Sequence, residues 1–200
     1  VGLDLMHPVV GDLTGETWAT IEAGRLRIST GEHNASSQRW VGGFNPFATY
    51  ELGLHQFDGN GRIGLSFCDT EQKNFLSACI VAKDGKYQAI EWVVVKDGQE
   101  VSRQEYAWPA DVRTMGPIRL RVQMLAVGVN LFLDSDGKSQ LVGYPDFNEH
   151  LELRHKDLIS RYEFRLSSDL EANSSAEIDE VLSALTPGCG QADIRAITHQ

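Results

Sequence analysis

Two hundred residues with 42% hydrophobic side chains can bury one good-sized core without a metal or disulfide staple. Acidic residues outnumber basic ones by 28 to 18, a formal charge of −10 that repels a phosphate backbone, so nucleic acid is excluded as a partner. No basic run suits an anionic membrane surface, and no apolar stretch approaches the ~18 residues of a membrane span.

In chain order, Leu3 to Gly15 reads as a poorly packed leading segment. "TIEAGRLRIST" predicts strand, tight turn, strand, with Gly24 at the turn. "ATYELGLHQFDGNGRIGLSFCD" predicts two strands around "FDGNGR", where Gly59 and Gly61 allow positive φ and a hairpin is cheap. "NFLSACIVAKDGKYQAIEWVVVKDGQEVSRQEYAWP" is a meander whose "KDGK" and "KDGQ" turns carry the Asp-Gly pair of primed hairpins. Within it, "IEWVVV" (90–95) suggests a strand covered on both faces or facing a partner. Ile118, Leu120, Val122 and Met124 alternate with Arg119, Arg121 and Gln123, one dry face and one wet, as in an outer sheet packed on a second sheet. "DSDGKS" is another turn, 148–161 has room for one short helical turn, and "RYEFRLSS" and "SAEIDEVLSALTP" close the series. Strands of six to nine residues between Asp-Gly turns predict antiparallel sheets rather than crossover helices.

The three cysteines are irregularly spaced. Cys68 and Cys79 fall in strand-like runs as small buried hydrophobes, and Cys189 is a loop thiol with no zinc-ligand neighbour. The glycosylation acceptors at Asn34 and Asn173 are matches that arise readily by chance. The chain starts at Val1 with no initiator Met or signal-peptide pattern. Its tail, "GQADIRAITHQ", has no stop logic, as in a piece of a longer protein.

The order "GRLRIST", "FATYELGLHQFDGNGRIGLSFCD", "YQAIEWVVVKDGQEV", "IRLRVQMLAVGVNLFLDSDG", then "YEFRLSS" with "AEIDEVLSAL", resembles the concanavalin A-like lectin/glucanase sandwich over Ile21 to Leu185. "LRVQMLAVGVNLFLDSDG" matches that group's late strand pair, and 178–181 in "EIDEV" its closing strand. The resemblance implies an all-β, antiparallel two-sheet jelly-roll sandwich over 1–187. Residues 188–200 would be a linker or the start of a following catalytic domain of a bacterial glycoside hydrolase, such as a β-propeller. A parent enzyme acting on polysaccharide would be secreted or periplasmic.

Glucanases of this fold set three acids on one strand as E-x-D-x-E or E-x-D-x-x-E. Here Glu177 and Asp179 share a face by strand alternation and Glu180 points the other way, while 181 and 182 are Val and Leu. A retaining mechanism needs two carboxyls ~5 Å apart, so Glu177 and Asp179 form only half a set, on a solvated edge-strand face, and this piece is expected to be non-catalytic. The histidines are scattered, and His55 reads as a polar rim residue. G-x-S-x-G is absent, and "GNGRIG" opens no helix, which rules out a phosphate loop. No cofactor is expected. Sandwiches of this type can carry a structural calcium ion, but Asp134 and Asp136 in "DSDGKS" lack the later ligands of a calcium loop.

Binding remains. Sugars are gripped by aromatic rings on their C–H faces and by polar side chains at their hydroxyls. Trp40 with Phe44 and Phe47 lies in a predicted glycine-bearing loop, suited to a sugar platform or to contact with a neighbouring domain. Tyr106 and Trp108 share a face and line a groove or cap the sandwich, whereas Trp92 reads as core. The carbohydrate-binding candidates are therefore Trp40, Phe44, Tyr106 and Trp108. Three functions fit: an accessory sandwich of a glycoside hydrolase that binds glycan or packs on the catalytic domain, a free-standing lectin-like protein, and an endo-acting glycosidase. The first is the expectation, with glycan or a neighbouring catalytic domain as the partner.

Overall fold

The computed structural model describes residues 17–69, 71, 73–125, 128–145 and 162–185. The leading segment, the 148–161 helical turn, Cys189 and the 188–200 tail fall outside these. The described residues form strands β1 (Thr17–Glu22), β2 (Arg25–Thr30), β3 (Ala35–Gly43), β4 (Ala48–Asp58), β5 (Gly61–Asp69), β6 (Phe75–Lys83) and β7 (Lys86–Lys96), followed by β8 (Gln99–Ala107), β9 (Ile118–Met124), β10 (Val129–Ser135), β11 (Lys138–Gly143), β12 (Tyr162–Leu170) and β13 (Ser175–Leu185). They make two antiparallel sheets, of order β1-β2-β13-β4-β9-β10-β11 and β3-β12-β5-β6-β7-β8. The all-β two-sheet sandwich expected from the alternation is the fold observed.

The core lies between the sheets. β9 buries every second residue, Ile118 through Met124, as its pattern predicts. Phe44, Tyr50, Phe67, Tyr162 and Phe164 form an aromatic cluster across the gap, with ring centroids 4.6–6.0 Å apart. Trp92 is fully buried beside it in the core. The turns at 84–85, 97–98 and 136–137 hold Asp and Gly at positive φ, and Ala23-Gly24 does the same. Each joins two hydrogen-bonded strands of one sheet.

"FDGNGR" departs from its predicted hairpin. β4 and β5 lie in different sheets, so this turn crosses the sandwich. It is packed against the β12–β13 connection: the Asn60 N–H donates to Ser174 Oγ (3.0 Å), and the Glu171 N–H donates to Asn60 O (3.0 Å). The β2–β3 crossing joins the same corner, with Thr30 N–H donating to Ser174 O (2.9 Å) and Asn173 N–H to Gly31 O (2.6 Å). Three sheet-to-sheet crossings are thus tied together at one end.

Candidate functional site on the outer face of the six-stranded sheet

A cavity of about 260 Å³ lies on the outer face of the six-stranded sheet and draws lining residues from all six of its strands. The register explains why. Gln38, Ser167, Gly64, Cys79 and Glu91 are successive cross-strand partners from β3 to β7, so they form one row on one face. Arg62 and Asp169 are partners in the next row. Phe75, Val93 and Val95 add apolar wall.

Glu91 is the polar centre. Its side chain is 8% exposed and sits between two guanidiniums. Arg62 Nε donates to its Oε2 at 2.8 Å and Arg103 Nη1 donates to the same oxygen at 2.5 Å. Arg62 Nη1 also reaches Asp169 Oδ2 (3.2 Å), and Arg103 makes a forked pair with Glu100 (2.9 and 2.6 Å). The bond from Glu91 holds Arg62 above its ordinary basicity, and the fork from Glu100 does so for Arg103. Reciprocally, Arg103 pulls Glu100 below the usual carboxylate range. Five charged groups therefore form a continuous network over a half-apolar floor. The arrangement offers N–H donors and carboxylate acceptors beside C–H-compatible surface, the combination that a sugar ring needs.

Beside Gln38, two residues along the same strand and so on the same face, stands Trp40, 40% exposed. It belongs to β3 and not to the predicted loop. Its cross-strand partner is Arg165, fully buried and forked onto Glu163 (2.9 and 2.5 Å).

The other predicted residues lie elsewhere. Phe44 is a correction: the turn after β3, in which Asn45 Oδ1 accepts the Phe47 N–H (2.9 Å), directs its ring into the core, where it is 8% exposed. Tyr106 and Trp108 are half-buried against the core. Tyr106 abuts Gly143, and Trp108 packs on Tyr87 (5.1 Å) while its Nε1 donates to Arg113 O (3.1 Å). They cap the sandwich edge.

Glu177 and Asp179 lie on the opposite outer face, in β13. This strand is not an edge but runs between β2 and β4. Register shifts at 177/178 and 178/180 alter the alternation, so Glu180 joins the other two acids on the outside instead of opposing them. Each acid is neutralised by a neighbouring strand: Glu177 by Arg27 (3.1 Å), Asp179 by Arg25 (2.6 Å), and Glu180 by Arg119, which also binds Glu51 (2.7 Å). His55 Nδ1 lies 3.5 Å from Asp179 at this irregularity. The calcium-like pair is occupied as well: Asp134 binds Arg121 (3.0 Å) and Asp136 binds Arg113, so a cation there would have to displace both guanidiniums. Among the described residues no group of three His, Cys, Asp or Glu could hold a metal ion.

No protein-family model and no curated protein matches the sequence. Solved structures do. A legume lectin-like domain from Entamoeba histolytica matches at TM-score 0.61 and 10% identity over 88% of this chain and 89% of its own. The catalytic domain of an endo-1,3-β-glucanase (laminarinase) from Thermotoga petrophila RKU-1 matches at 0.59 and 12% over 82% and 79%. The carbohydrate binding module CBM66 from Bacillus subtilis matches at 0.55 and 20% over 88% and 99%. The fold is concanavalin A-like. The sequence resemblance therefore implied the right architecture.

Arg62, Glu91, Arg103 and Asp169 were not singled out in the sequence. The available signal was the lone acid in "IEWVVV": a charge in an otherwise apolar strand requires a partner.

Proposed function

We propose that this chain is a non-catalytic glycan-binding sandwich whose ligand lies on the outer face of the six-stranded sheet. The ring of Trp40 stacks on a sugar C–H face, and Arg62, Glu91 and Arg103 bond its hydroxyls. The observation that carries this reading is the Glu91 network in a cavity spanning the sheet, bordered by an exposed Trp on the same face. A carbohydrate binding module and a lectin-like domain among the similar folds support it. Non-catalytic action is favoured because each carboxylate lining the cavity, Glu91, Glu100 and Asp169, is paired with an arginine, whereas a glycosidase sets two carboxyls against the scissile bond. In a longer protein the sandwich would accompany a glycoside hydrolase catalytic domain. Standing alone it would act as a lectin through the same face.

Affinity gel electrophoresis against laminarin, xylan, galactomannan and a fructan tests this. At least one should retard the parent chain, and Trp40→Ala should weaken that retardation about tenfold or more while leaving the near-UV circular dichroism otherwise native. A parent that migrates unretarded through all four defeats the proposal.

A further inference from the structure

The charge pattern of the cavity narrows the ligand class. Among the described residues, two cations line it, Arg62 and Arg103, against three carboxylates, Glu91, Glu100 and Asp169. Neither guanidinium is unpaired: Arg62 is held by Glu91 and Asp169, and Arg103 by Glu91 and Glu100. A third guanidinium that the described residues place on this face, Arg165, is buried and held by Glu163. An anionic sugar is recognised by an arginine fork that is open to its carboxylate or sulfate. Here such a group would have to evict an existing carboxylate and then sit beside the remaining ones, with like charges in contact. A hydroxyl needs no such exchange, because a carboxylate accepts several hydrogen bonds and a guanidinium has five N–H donors.

We infer that the cavity selects uncharged sugar residues and rejects uronic-acid and sulfated glycans, with Glu100 and Asp169 as the specificity-determining acids that keep the arginines occupied. The inference rests on the glycan-binding reading above and adds the substrate class. Glu100 and Asp169 suit a test because their side chains are 45% and 53% exposed, so neutralising them leaves the core untouched.

The experiment compares three full-length chains in gels containing either the neutral panel or polygalacturonate at low ionic strength. They are the parent, Glu100→Gln/Asp169→Asn, and Asp84→Asn/Asp111→Asn, which changes the net charge equally at exposed positions outside the cavity. The parent should be retarded by at least one neutral polysaccharide and not by polygalacturonate. The cavity variant should gain polygalacturonate affinity at least tenfold over the control variant. Retardation of the parent by polygalacturonate overturns the selectivity while leaving the glycan site standing. A gain that is absent, or shared equally by the control, overturns the role of Glu100 and Asp169. A parent that ignores the whole neutral panel overturns the glycan-binding reading and this inference with it.

Discussion

At Cys79, burial and charge act on one atom. The thiol lines the cavity on the outer face, yet desolvation pushes its pKa up to about 12 from an ordinary 9.0, and Cys68 in the neighbouring strand is shifted likewise. Below pH 9 both thiols are protonated in folded and unfolded chains and contribute no pH dependence. Above it the unfolded chain loses protons that the folded chain retains, so stability falls as pH rises from about 9 toward 12. Each thiol should cost on the order of 1 kcal/mol between pH 8 and 10. Urea unfolding at those two pH values checks this: Cys68→Ala/Cys79→Ala should show a much flatter loss than the parent, and equal losses would refute the assignment. The sequence showed both cysteines as buried strand residues. It could not show that they face outward, because a strand whose outer face is roofed by long arginine side chains reads as apolar throughout. The same masking hid Glu91, whose partners are contributed by β5 and β8, 29 and 12 residues away.

Among the turns, identical residue chemistry serves two purposes. Gly24 and Gly61 both hold positive φ, +80° and +140°. A Cβ on Gly24 would meet nothing within 4 Å, whereas one on Gly61 would lie 2.4 Å from Asp169 O and 2.8 Å from Leu170 Cα. Gly24→Ala should therefore cost only the backbone penalty, about 1 kcal/mol. Gly61→Ala must also push β5 from β12 and should cost more than about 3 kcal/mol. Chemical denaturation of the two variants measures the difference, and equal costs would mean that the close approach is relieved by small shifts. Local signals identified every Asp-Gly hairpin, because a two-residue primed turn is decided by its own φ angles. They misassigned "FDGNGR" because glycine and asparagine equally suit a crossing, and only Ser174 and Glu171, more than 100 residues on, determine which it is. The irregular register of β13 escaped for a related reason. "AEIDEV" alternates on paper, and the pairing with β4 shifts it.

Across the whole molecule, the last two strands are the keystones of both sheets. β13 lies between β2 and β4, and β12 lies between β3 and β5, so the N-terminal strands reach the rest of each sheet only through the C-terminal ones. Such long-range pairing is invisible to local pattern, which reports each strand's period but not its neighbour. The resemblance to known sandwiches implied the general architecture where periodicity could not. The arrangement also predicts how the chain tolerates truncation. Of the described elements, a chain starting at residue 25 lacks β1 alone, the strand at the end of its sheet bonded to β2, and it should retain a cooperative urea transition with modestly reduced stability. A chain ending at residue 145 loses β12 and β13, and with them Phe164, Leu166, Ile178 and Val181 from the core. That deletion splits each sheet in two and exposes the ladder groups of β2, β3, β4 and β5 together, so it should abolish near-UV circular dichroism and cooperative unfolding. Because β3 carries Trp40 and β5 carries Arg62, any glycan retardation should vanish from the same truncation. A cooperative transition surviving in it would show that the strands before residue 145 can close a sandwich on their own.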